Sequence, residues 1–149
     1  MRHMISPTEP DKQQTSPVAE IRAAVAKLRK HVKHATDSPW HSRPVWSPDS
    51  PGLSAVYSYA HPAGSVESEV VASGSIRSGY GGIREPWNAE YIALMQPAVG
   101  AALAEWLNLE ADITEARIAE HGTDEYAVDL SGDHALTIAR LINAEGGAR

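Results

Sequence analysis

The 149-residue sequence predicts an α+β domain: an N-terminal helix, a small antiparallel sheet of hairpin or meander type, then C-terminal helices. Three observations carry this. Apolar residues recur at alternating spacings of three and four between Val18 and Ala35. Residues 38–85 break into short apolar runs separated by proline, glycine and serine. Helical periodicity returns after Pro86. The length suits one domain with one buried core. Its expected extent is residues 17–145, after a disordered tail over 1–16 that is polar, aperiodic and broken by Pro7 and Pro10.

The first helix has a clear start. Ser16 is a good N-cap, Pro17 suits the first turn, where an N–H has no intrahelical partner, and Glu20 faces the positive end of the helix dipole. Val18, Ile21, Val25, Leu28, Val32 and Ala35 predict one buried stripe. Residues 43–46 read as an edge strand, because Pro44 has no N–H for a ladder. Residues 53–60 and 67–76 read as the arms of a hairpin through a turn at 61–65, and 83–84 as a short fourth strand. Pro86 and Pro97 open two helices, 87–94 and 97 to about 120, the second ending on Gly122 in a left-handed conformation. In the short helix Tyr91, Leu94 and Met95 stack at i, i+3 and i+4, with Trp87 one turn earlier, which predicts a core face. The long helix is expected to bury Ala102, Leu103, Trp106, Leu109, Ile113 and Ala116, and Trp40 to close the core from the other side. The last helix is expected from near Asp133, carrying Leu136, Ile138, Ala139, Leu141 and Ile142 as far as Gly146-Gly147.

Composition narrows the function classes. Cysteine is absent, which excludes disulfides, thiolate metal sites and cysteine nucleophiles. No apolar run reaches the roughly 18–20 residues of a membrane span, and no secretory h-region is visible, so the expected location is the cytoplasm, away from membranes. The net charge of −6 is unevenly spread. Residues 84–149 hold twelve acids against four arginines, a net −8, while residues 1–83 are +2. An acidic C-terminal half disfavours nucleic acid, whose binding depends on phosphate neutralisation.

Catalytic patterns are absent. Seven histidines include His31 and His34 at i, i+3, yet no metal-ligand spacing appears, and their basic neighbours would repel a cation, so neither a metal nor a cofactor is expected. Ser73-Gly74-Ser75 lacks the Gly-x-Ser-x-Gly nucleophile elbow. Glu110, Asp112, Glu115 and Asp124-Glu125 read as the solvated side of a helix rather than as a carboxylate pair facing across a cleft. Two candidate sites remain. Lys27, Arg29, Lys30 and Lys33 form a basic cluster at the end of the first helix, where the dipole favours cations in any case. Gly79-Tyr80-Gly81-Gly82, flanked by Arg77 and Arg84, forms a glycine loop in which Arg77, Tyr80 and Arg84 would meet an anionic small ligand or nucleotide. A third reading stacks single-stranded nucleic acid on Trp46, Tyr57 and Tyr59 beside Arg43.

Asn88-Ala89-Glu90-Tyr91-Ile92-Ala93-Leu94-Met95-Gln96-Pro97, taken with Ala35-Thr36-Asp37-Ser38-Pro39-Trp40 and His134-Ala135-Leu136-Thr137-Ile138-Ala139-Arg140, resembles small proteins of actinobacteria and their phages. That group shares an Asn/Asp-Ala-x-Tyr-Ile-Ala-x-x-x-Pro core with the Ea22-like early proteins of temperate phages. The resemblance covers about 80 residues, and the chain departs from the Ea22-like pattern in lacking a long coiled coil. It implies a phage or mobile-element setting and supplies no reaction. The favoured expectation is a non-enzymatic accessory protein that binds a protein partner or itself through its basic and acidic faces.

Overall fold

The structure, a computed structural model, describes residues 15–45, 52–59, 69–73, 82–123 and 128–144. The expectations for the tail up to residue 14, Trp46, the 61–65 turn, both ends of the second hairpin arm, Arg77 and Tyr80, Asp124-Glu125 and Gly146-Gly147 lie outside these residues. Along the chain run α1 (Pro17–His34), β1 (Trp40–Pro44), β2 (Ser54–Ser58), β3 (Glu69–Ser73), α2 (Pro86–Leu94), α3 (Pro97–His121) and α4 (Leu130–Ala144). This is the α+β order that the sequence predicts.

Helix α1 starts as expected. The Ser16 hydroxyl accepts from the Ala19 N–H at 3.2 Å, and Pro17 opens the first turn. Ile21, Ala24 and Val25 are buried, with Val18 and Leu28 packed beside them. The sheet has the order β1-β2-β3 and is antiparallel throughout. Trp40 pairs with Ser58 and Pro44 with Ser54 on one side of β2. On the other side Ala55 pairs with Ser73 and Ser58 with Glu69, with an irregularity between Val56 and Tyr57. β1 begins three residues before the predicted strand and is an edge, which is where Pro44 is tolerated. The predicted fourth strand is a single bridge between Ser54 and Ile83.

Two apolar clusters hold these elements. α1, α3 and α4 form a three-helix bundle around Ile21, Ala24, Val25, Ala104, Leu107, Ala111, Ala135, Leu136 and Ala139. The sheet and α2 close on Val56, Ala89 and Ala93, with Trp40, Val71, Ala72, Ile83 and Ile92 around them. The connection between α1 and β1 ties the clusters together. Ser38 Oγ accepts from the Ala98 N–H (3.2 Å), capping α3 from 60 residues away, and Gln96 Oε1 accepts from the Trp40 N–H (3.2 Å). Trp40 itself donates its indole N–H to the Thr36 carbonyl at 3.0 Å.

Three sequence expectations fail in instructive ways. In α3 the buried line is Ala104, Leu107, Glu110, Ala111 and Thr114, not the predicted one. Ala102 and Ala116 face solvent, Leu109 is 55% exposed, Leu103 and Trp106 only flank the core, and Ile113 is half-buried. α3 packs against α1 and α4 at once, and alanine at 104 and 111 lets the backbones approach in a way the large residues would not. α4 starts three residues earlier than expected. Asp129 caps it, accepting from the Gly132 N–H at 2.9 Å, and Leu141 points outward. The third failure is α2, whose outer face belongs to the site below. Gly122 does end α3 in the left-handed region, at φ 69°.

Candidate functional site

Two members of the basic cluster of α1 have partners within the fold and two stand in solvent. Lys27 is half-buried and its Nζ donates to the Ile142 carbonyl at 2.6 Å, near the end of α4. Arg29 pairs with Glu105 of α3 at 2.8 Å. Lys30 and Lys33 are exposed, and Lys30 lines a shallow depression with His31, His34 and Ala35. His31 Nδ1 lies 2.7 Å from the Lys27 carbonyl, a contact that requires the proton on Nδ1.

Arginines on α1, α3 and α4 pair with acids across the helix seams. Arg22 bridges Asp112 (3.0 Å) and Glu115 (2.7 Å) across the α1–α3 seam, and these hydrogen bonds raise its pKa. Arg140 of α4 holds both carboxylate oxygens of Glu20, at 2.8 and 3.2 Å, and this hydrogen bonding lowers the Glu20 pKa. Arg117 grips Asp129 at 2.7 Å, and with the Gly132 N–H it pulls the Asp129 carboxyl down from its usual 3.8 to about 2. Asp112 and Glu115, read from the sequence as part of a solvated stripe, are exposed and at the same time pair with Arg22. Glu110, the one α3 carboxylate that is buried, accepts from the Ser131 hydroxyl at 2.7 Å. Among the described residues no three histidines or acids converge on a metal-binding position.

The glycine-loop reading keeps Gly82 and Arg84 within the described residues, the latter an exposed side chain beside the Ser54–Ile83 bridge. Of the aromatics in the stacking reading, Tyr59 already has ring partners. Arg43 lies 4.8 Å above the Tyr59 ring and His41 meets it edge-on at 5.2 Å, so the ring face is already covered.

What the sequence misplaced is the outer side of α2. Ala89 and Ala93 are buried against the sheet, with Ile92 beside them. Trp87, Tyr91, Leu94 and Met95 lie on the opposite side and are 73%, 63%, 65% and 44% exposed. At about 100° per residue the two groups centre on nearly opposite faces of the helix. Glu85 caps the N-terminus by accepting from the Trp87 N–H at 3.3 Å, and Pro86 fixes the first turn, so the stripe begins on a rigid end. Asn88 and Glu90 border it and are exposed. The exposed surface therefore holds a connected apolar strip on a short, well-anchored helix. Comparison with protein-family models, curated proteins and solved structures gives no match for the chain.

Proposed function

We propose that this protein works by protein–protein contact rather than by catalysis, and that the outer face of α2 is the contact surface. The carrying observation is that α2 is apolar on two opposite sides while the sheet covers only one. A helix apolar all round is normally buried all round, and large exposed patches mark interaction sites. Trp and Tyr are the residue types most enriched at binding hot spots. This moves the expected contact away from the basic end of α1, where Lys27 and Arg29 already serve the bundle. The sequence resemblance adds the setting: an accessory protein of phage or mobile-element type, acting in the cytoplasm on a protein partner or on a second copy of itself.

The test is a photo-crosslinking amino acid at position 91 in cells that naturally make the protein, with position 141 as control. Leu141 is another exposed apolar residue, on α4 and off the strip. Adducts from position 91 and none from 141 are expected. Absence of adducts from 91 overturns the reading.

A further inference from the structure

We propose that the side of the sheet turned away from α2 carries a binding site of its own, which takes a small molecule by an oxyanion group held by Arg43, Tyr59 and His41.

Strand alternation builds the site. On β1, Trp40 packs with Val56, Ala89 and Ala93 in the sheet–α2 cluster, so His41 and Arg43 project from the other side of the sheet. Tyr59 directly follows β2, and its N–H donates to the Pro39 carbonyl at 3.0 Å, which holds it beside the start of β1. A cavity of about 290 Å³ opens there, lined among the described residues by His41, Ser42, Arg43 and Tyr59. Small-molecule sites start at about 300 Å³, so the room suits an anionic group on a compact body.

Two donors set the chemistry. The Tyr59 hydroxyl is buried and has no hydrogen-bond partner. Buried polar groups are nearly always paired, so an unpaired one on a residue that lines a cavity marks a place for an acceptor. The Arg43 guanidinium sits 4.8 Å from the centre of the same ring, which positions the charge without neutralising it. Among the described residues no carboxylate pairs with Arg43. A group that answers both donors must accept hydrogen bonds, and a negatively charged acceptor meets a guanidinium best. His41, edge-on to the ring at 5.2 Å, adds a ring N–H. Arg43 and His41 are exposed, so either can shift to admit the ligand to the hydroxyl while the core stays packed. Phosphate esters and carboxylates share this acceptor chemistry.

Nuclear magnetic resonance titration of the isotope-labelled full chain tests the site, with methyl phosphate and acetate as probes at constant ionic strength. Saturable shifts are expected at the Arg43 side-chain N–H and the Tyr59 amide. Tyr59→Phe removes one oxygen and is expected to weaken binding about tenfold or more, the worth of a hydrogen bond to a charged group. Arg43→Gln is expected to abolish binding, with its fold checked by circular dichroism. Lys30→Gln, which removes an exposed cation at the far end of α1, is expected to leave binding unchanged. Thermal melts give a reading that needs no ligand. Because the hydroxyl is unpaired, Tyr59→Phe is expected to melt at or above the Tm of the original protein. Tighter binding of methyl phosphate than of acetate assigns the group as a phosphate, and the reverse as a carboxylate. A lower Tm for Tyr59→Phe would show that the hydroxyl has a partner within the chain and would overturn its role as donor. No saturable shift with either probe overturns the site. Binding that Lys30→Gln weakens as much as Arg43→Gln reduces it to general charge attraction and overturns it too.

Discussion

Replacing Leu107 by alanine tests the packing of the bundle, and the structure sets the size of the effect. Leu107 is fully buried, among Ile21, Ala24 and Val25 of α1 and Ala135, Leu136 and Ala139 of α4. The substitution removes three carbons, worth about 2.4 kcal/mol at roughly 0.8 kcal/mol each. The cavity term comes on top, and here three of the core neighbours are alanines, which have no rotamer to swing into the space. A loss of about 3–4 kcal/mol follows, which for a chain of this length lowers Tm by about 10 °C. Leu109→Ala removes the same atoms from a side chain that is 55% exposed and is expected to cost under about 1 kcal/mol. Urea unfolding followed by far-UV circular dichroism measures both. A Leu109→Ala variant destabilised as much as Leu107→Ala would refute the observed phase of α3 and restore the line Trp106–Leu109–Ile113.

Other consequences concern caps, charges and close approaches. The Asp129 carboxyl is held at about 2, below its usual 3.8, so its contribution is complete above about pH 4 and is lost as pH falls through 2. The urea midpoint of the protein is expected to drop between pH 5 and pH 2, and to drop less in Asp129→Asn; equal drops would contradict the Arg117 pairing. Lys27→Glu is expected to lower Tm clearly, because a carboxylate would replace the donor to the Ile142 carbonyl, whereas Lys30→Glu and Lys33→Glu stay within about 0.5 kcal/mol of the original protein. Thermal melts in which all three behave alike would show that Lys27 is also a surface charge. At Gly82 an added Cβ would collide with the Cβ of Leu53, so Gly82→Ala is expected to cost about 1–3 kcal/mol and to speed amide exchange at Ser54 and Ile83, which bond each other across the bridge. Unchanged exchange there would place the close approach elsewhere.

Local chemistry made most of the boundaries legible. Ser16 and Pro17, Pro86, Pro97 and Gly122 each act within one turn of the residue that carries the signal, and each marks an end where expected. The start of α4 was less visible because Gly132, a poor helix former, lies just before Asp133, where the helix was expected to begin. In the fold Gly132 lies within the first turn, close to Val128 and 3.7 Å from Thr114 Oγ1 at its would-be Cβ. Asp129 was the available signal. Burial was harder to read, since periodicity weighs apolar side chains by size. α3 and α2 instead bury alanines, Ala104 and Ala111 in the bundle and Ala89 and Ala93 on the sheet, where small residues permit close packing. In α2 two apolar faces compete for one sheet, and the sequence pattern cannot say which of them wins. The basic cluster was visible, but its role depended on partners 76 and 115 residues away, Glu105 and Ile142.

The central claim is that the outer face of α2 is a protein-contact surface, and a photo-crosslinking amino acid at position 91 tests it most directly. In cells that naturally make the protein, adducts are expected from position 91 and none from position 141. Tyr91 is 63% exposed, so the crosslinking group stands in solvent in the single chain and reaches whatever covers the strip. No adducts from position 91, or adducts from 141 as strong as those from 91, would contradict the account.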